Sequence, residues 1–169
     1  VTVEGEVLHG RAEGREMKEG QLLLIDVGAE SPAGYATDVT RTLPVSGRFS
    51  PKQRLFYEAV LRAQKAAIQK CKPGVRFRDV HLAASRSLID SLINVELMKG
   101  NTDELLEKGA QAVFFPHGIG HLMGLDVHDM ELYGDAAGYP KGRERDPQFG
   151  LNFLRLDREL KEGMVVTIE

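Results

Sequence analysis

Asp26 and Asp38 stand twelve positions apart, each at or near the end of a stretch rich in β-forming residues. Asp26 follows Leu22-Leu23-Leu24-Ile25, a poor place for a lone carboxylate. A buried carboxylate needs a partner, and two brought together repel unless a cation lies between them. The same residues also read as strand-end carboxylates that cap backbone groups in solvent, and the pair taken alone fits both readings. A second cluster runs from Pro116 to Asp129 and holds His117, His121 and His128, three of the chain's five histidines, among interleaved glycines. Glycine lets backbone come close to a ligand or another segment. Imidazole suits several first-row transition metals, and carboxylates shift the preference toward harder ions. Glu169 closes the apolar run Met164-Val165-Val166-Thr167-Ile168 and repeats the logic of Asp26. His9 follows Val7-Leu8. His81, in a helical stretch, reads as surface or structural. Cys71, beside Lys70 and Lys72, reads as packing.

The elements that must carry these residues follow from periodicity. Strands are expected over Val1–His9, Gln21–Val27 and Tyr35–Pro44, the last two joined as an antiparallel hairpin across the turn-forming Glu30–Gly34 segment. Gln21–Val27 reads as a strand buried on both faces. Ser50-Pro51-Lys52-Gln53 is an N-cap with a proline in the first turn and a capping-box glutamine. A helix should follow, with Phe56, Val60, Ala63, Ala67 and Cys71 at helical spacing. A second helix is expected over Arg78–Lys99, with Val80, Ala84, Leu88, Leu92 and Val95 on one face. Thr102 is expected to cap a short helix through Lys108. Ala112–Phe115 and Met164–Ile168 read as strands. Tyr133–Gly163 is a long Gly-, Pro- and charge-rich connection, of the kind that is often functional.

The bulk numbers agree with a globular domain. The 169 residues are 42% hydrophobic and 28% charged, with a formal net charge of −3. Nothing points to nucleic acid, and no apolar run approaches the ~20 residues of a membrane span. A single cysteine excludes an internal disulfide and fits a reducing, cytoplasmic setting.

Together the motifs resemble the M24 metallopeptidases, the family of Xaa-Pro aminopeptidases, prolidases and methionine aminopeptidases. They are Leu8-His9, Leu24–Gly28, Gly34–Thr42, His117–His121, Gly124–Asp129 and Glu162–Glu169. The Gly-Leu-Asp-Val-His-Asp run is more similar to the Xaa-Pro-cleaving branch. The resemblance implies an α+β pita-bread fold, a curved antiparallel sheet with helices on its outer face. It implies a dinuclear site in which Asp26 binds one metal, Asp38 bridges two, His121 binds the second, and Glu169 is both a ligand and the acceptor of the bridging water's proton. It makes His9 and His128 holders of the substrate carbonyl and of the tetrahedral intermediate, and places His117 beside the proline-ring pocket. The implied cofactors are two divalent ions, manganese foremost, with cobalt, zinc or iron as alternatives. The implied partner is a peptide or dipeptide with proline at the second position, and a homodimer is an option.

The family's fifth ligand, a glutamate on a later strand, has no match within residues 1–169. The chain is therefore expected to be a partial catalytic domain, incomplete at its C-terminus, metal-poor and inactive alone. A creatinase-like, metal-independent hydrolase or a non-catalytic pita-bread binding module would be expected to lack the acidic ligands, and here four candidate ligands are present.

Overall fold

The computed structural model describes residues 1–3 and 14–169. Two strands, β1 (Leu22–Val27) and β2 (Val39–Pro44), form an antiparallel hairpin. Its register sets Asp26 opposite Thr40 and Val27 opposite Val39, so Asp38 lies one residue before the paired stretch. Thr2 bridges Leu24 on the other side. The remainder of the first expected strand, with His9, lies outside the described residues. β2 starts later than expected because residues 35–37 make other bonds: the Ala36 N–H donates to Gly124 O, and Thr37 is tied to Ala29. Gly28 allows that last approach, since a Cβ there would run into Thr37 O. The apolar run of β1 is half-buried rather than covered on both faces, and Asp26 itself is exposed.

Helix α1 (Pro51–Lys70) begins with the expected capping box: Gln53 N–H donates to Ser50 Oγ, and the Ser50 N–H donates back to Gln53 Oε1. Its buried face is Ala59, Ala63 and Ala67. The expected stripe was one position off at Val60, which is 59% exposed. Alanines at this spacing let α1 lie close against α2 (Phe77–Asn94). The face of α2 is the expected one: Val80, Ala84, Leu88 and Leu92 are buried with Phe77. The core continues through Phe115, Ile119, Leu154, Leu156 and Leu160, with Cys71 packed at its edge. α2 ends before the expected Lys99, because Met98 turns back to donate to Leu92 O. Helix α3 (Thr102–Glu107) is capped by Asn101, not Thr102: the Asn101 side chain accepts from the N–H groups of Asp103 and Glu104.

Two expected strands are absent. Ala110–Val113 is a 3-10 turn, opened by Gly109 in the left-handed conformation (φ 67°). Residues 164–168 are extended and bond to residues 119–123, but they make one isolated β-bridge, Leu122 to Val166, and no strand. The long 133–163 connection is ordered by 3-10 turns at Glu131–Tyr133 and Leu151–Phe153 and by α4 (Asp135–Gly138). A partly buried Arg76–Asp157 ion pair (2.6 Å) and Tyr139 O–H donating to Leu154 O (2.6 Å) tie it to the core. Among the described residues no helix is long and apolar enough to cross a membrane.

His81 is fully buried on α2, so it is structural rather than a surface residue. Burial holds its pKa down at about 4, below an ordinary 6.5, and the nearby His117 and Arg78 push the same way. The unfolded chain therefore binds this proton between pH 6.5 and 4 while the folded chain does not, and stability falls as pH drops through that window. The difference corresponds to about 3 kcal/mol. Denaturant melts at pH 7.5 and pH 4 should show wild type losing about 3 kcal/mol more than His81→Phe, whose residue 81 does not titrate.

Candidate metal centre

Three segments converge on one spot. The hairpin delivers Asp26 and Asp38. The glycine-rich segment after the core residue Ile119 delivers His121. The extended 164–169 segment lies alongside and delivers Glu169. The last two are locked by main-chain bonds, Thr167 N–H to His121 O (2.9 Å) and Glu169 N–H to Ile119 O (2.8 Å). Gly120, at φ 157°, permits this contact, because a Cβ there would collide with Thr167 O. Gln64 of α1 pins the strap from outside by donating to Ile168 O (2.9 Å).

His121 is 5% exposed. Its Nδ1 lies 2.9 Å from Leu122 O, which places the ring proton there and leaves the Nε2 lone pair for another partner. Nε2 lies 3.0 Å from Glu169 Oε1 and 3.3 Å from Asp38 Oδ2. Neither approach has hydrogen-bond geometry, so this buried nitrogen is unsatisfied. One ligand atom each from Asp38, His121 and Glu169 lies within 4.8 Å of the others. Asp26 contacts Asp38 and is held by Thr40, whose O–H donates to Asp26 Oδ1 (2.8 Å).

The electrostatics describe a cluster short of positive charge. Burial, then the charges of Asp26 and Glu169, push Asp38 above the ordinary carboxylate range. Burial pulls His121 down, but its contacts with Glu169 and Leu122 outweigh that and hold it at about 9. Glu169 is held low, chiefly by His121 and also by Thr167. The imidazole thus takes up a proton as the available cation among three carboxylates. An orphaned imidazole nitrogen facing carboxylate oxygens is a donor set that fits a divalent first-row metal.

The other expected site residues are placed as follows. The His128 ring stands 4.3 Å from that of His121, edge to face, and is exposed. His117 is exposed too. Its Nδ1 lies 2.8 Å from Gly118 O. His9 lies outside the described residues. Two participants were not anticipated. Thr167 Oγ1 accepts from His121 N–H (3.0 Å) and donates to Glu169 Oε1 (2.7 Å). Its signal was present in the sequence, since in an extended segment residues 167 and 169 share a face. Glu131 lies 3.4 Å from His128 Nδ1 and pairs with Arg155, and its signal was the three-residue spacing from His128 in a turn. Beside His121 a cleft of ≈ 250 Å³ opens, lined in part by Asp129, Glu131, Arg145 and Arg155.

The chain is similar to known proteins over most of its length. The chain is 41% identical over 167 residues to the Xaa-Pro dipeptidase of Rattus norvegicus, covering 96% of this chain and 32% of that protein. It is 42% identical over 147 residues to a probable Xaa-Pro aminopeptidase of Paracoccidioides lutzii, covering 87% and 30%. The chain thus spans about a third of the length of the curated relatives it matches. The structure of Pseudomonas aeruginosa aminopeptidase PepP superposes with a TM-score of 0.76 at 37% identity, over 95% of this chain and 32% of that one. Zn-substituted Escherichia coli aminopeptidase P in complex with product gives 0.73 at 36%, over 91% and 30%. The fold is therefore the expected pita-bread architecture. The sequence profile described as metallopeptidase family M24 matches residues 1–169. With the carboxylate and imidazole cluster in place on that fold, the chain belongs to metallopeptidase family M24.

Proposed function

We propose that this chain forms part of the catalytic domain of an enzyme that hydrolyses Xaa-Pro peptide bonds with two divalent metal ions. The observation that carries this reading is the unsatisfied His121 Nε2 facing Asp38 and Glu169, in a chain related to Xaa-Pro dipeptidases and aminopeptidases. Asp26, Asp38, His121 and Glu169 would hold the metal, manganese foremost. When bound, such ions lower the pKa of a water toward neutrality and polarise the scissile carbonyl.

The chain's own residues do the rest. Glu169, oriented by the Thr167 hydroxyl, takes the water's proton. His128 and His9 hold the substrate carbonyl and the tetrahedral intermediate. His117 borders the proline ring, and the cleft beside His121 receives the peptide. The domain assignment rests on the share of the relatives that the chain spans. With four of the family's five ligands, residues 1–169 by themselves are proposed to bind metal weakly and to be inactive. A cytoplasmic homodimer is part of the same proposal.

The test is a substrate panel on the full-length protein loaded with manganese. Dipeptides and tripeptides with proline second should be cleaved at the Xaa-Pro bond, and chelation should abolish cleavage. Their alanine counterparts should be cleaved at least about 100-fold more slowly, about the discrimination a shaped pocket provides. A manganese-loaded protein that leaves Xaa-Pro peptides intact would refute the reading.

A further inference from the structure

We infer that His81 is a positioning residue for His117, acting through the ring of Phe115. Three rings form a continuous stack from the helical core to the rim of the site. The His81 ring lies against that of Phe115, with centroids 5.0 Å apart and planes at 29°. Phe115 in turn meets the His117 ring edge to face, at 4.7 Å and 87°. His81 is fully buried and Phe115 9% exposed, so the first two members are fixed by the core. His117 is exposed, and two contacts orient it: the Phe115 ring and the carbonyl of its neighbour Gly118. The Gly118 contact sets the ring's angle on its own backbone. Among the described residues, the Phe115 ring is the aromatic contact that ties it to the helical core.

What His81 contributes here is a flat ring, not a polar bond. Neither Nδ1 nor Nε2 has a partner among the described residues. A buried polar atom without a partner is destabilising. Aliphatic packing alone would be better served by leucine at this position. An aromatic face stacked on Phe115 limits the tilt of that ring, and so the place where its edge supports His117. On the site side, His117 stands four residues before His121 in the same glycine-rich segment.

This inference rests on the proposed function for its kinetic consequence, in which His117 borders the substrate, but not for its structural one. The experiment uses the full-length protein with 13C-labelled histidine, the His117 signals being identified through His117→Gln. In His81→Ala the His117 ring resonances should shift or broaden. KM for an Xaa-Pro peptide should rise about ten-fold while kcat changes about two-fold or less, as expected when a contact group is misplaced but the chemistry is not. His81→Phe, which returns a ring, should restore both. Phe115→Leu keeps His81 and an apolar side chain, and should perturb His117 at least as much as His81→Ala. Unchanged His117 resonances in folded His81→Ala or Phe115→Leu would overturn the inference. So would a well-folded His81→Phe that fails to restore them. If the wild-type protein cleaves no Xaa-Pro peptide, the proposed function fails and the resonances alone decide this inference.

Discussion

Asp38→Ala in the full-length protein is expected to lower kcat/KM on Xaa-Pro peptides by about 1,000-fold or more, the equivalent of about 4 kcal/mol of lost transition-state stabilisation. Asp38 lies where the hairpin side of the site meets the histidine side. It contacts Asp26, lies 3.3 Å from His121 Nε2, and is raised in pKa by burial and by two neighbouring carboxylates. In the proposed site it is the ligand shared by both ions. Its loss should reduce the bound metal measured by elemental analysis. The stability effect has the opposite sign in metal-free protein. A carboxylate whose pKa is raised on folding destabilises the fold once it is ionised. The metal-free variant should therefore melt at or above the temperature of metal-free wild type. Added manganese should raise the melting temperature of wild type but leave that of the variant almost unchanged. A variant that retained full activity and metal would show that Asp38 is a strand-end carboxylate and nothing more.

Glu169→Gln should lower kcat by about 100- to 10,000-fold, the range for loss of a positioned general base, with a smaller change in KM. The replacement preserves size, and a glutamine oxygen can still accept the Thr167 hydroxyl that now bonds Glu169 Oε1 (2.7 Å). What disappears is the charge. In the metal-free site His121 and Thr167 hold the pKa of Glu169 below the ordinary carboxylate value. Circular dichroism should be unchanged, and metal content should fall less than in Asp38→Ala. If Thr167 serves to orient this carboxylate, Thr167→Val should give a milder loss of the same kind, since it leaves the charge in place.

The parts of the fold carried by local patterns were legible in the sequence. The hairpin follows from one apolar run, one turn and one β-rich run, and α1 from its capping box. The apolar face of α2 follows from a strict helical spacing that burial then enforced. The carboxylate and histidine cluster that is proposed to hold metal was legible for a different reason. Carboxylates and histidines beside apolar runs and glycines need partners, and their motifs occur in the order of a known family. The failures were non-local. Residues 164–168 have strand composition, yet their partner is the irregular 119–123 segment, more than forty residues earlier, which no local pattern encodes. Ala112–Phe115 has β-forming residues, but Gly109 turns the chain into a 3-10 turn just before them. His81 looked unremarkable because its importance lies in Phe115 and His117, which only the folded core brings against it. Glu131 carried only the three-residue spacing from His128 as a signal, and its partner Arg155 became apparent once the 133–163 connection folded back.

The most direct test of the central claim is anomalous diffraction at the manganese edge from crystals of the full-length protein grown with manganese. The account predicts two anomalous peaks enclosed by Asp26, Asp38, His121 and Glu169, one of them within coordination distance of His121 Nε2. Peaks confined to other places, or none in that cluster at saturating manganese, would contradict it.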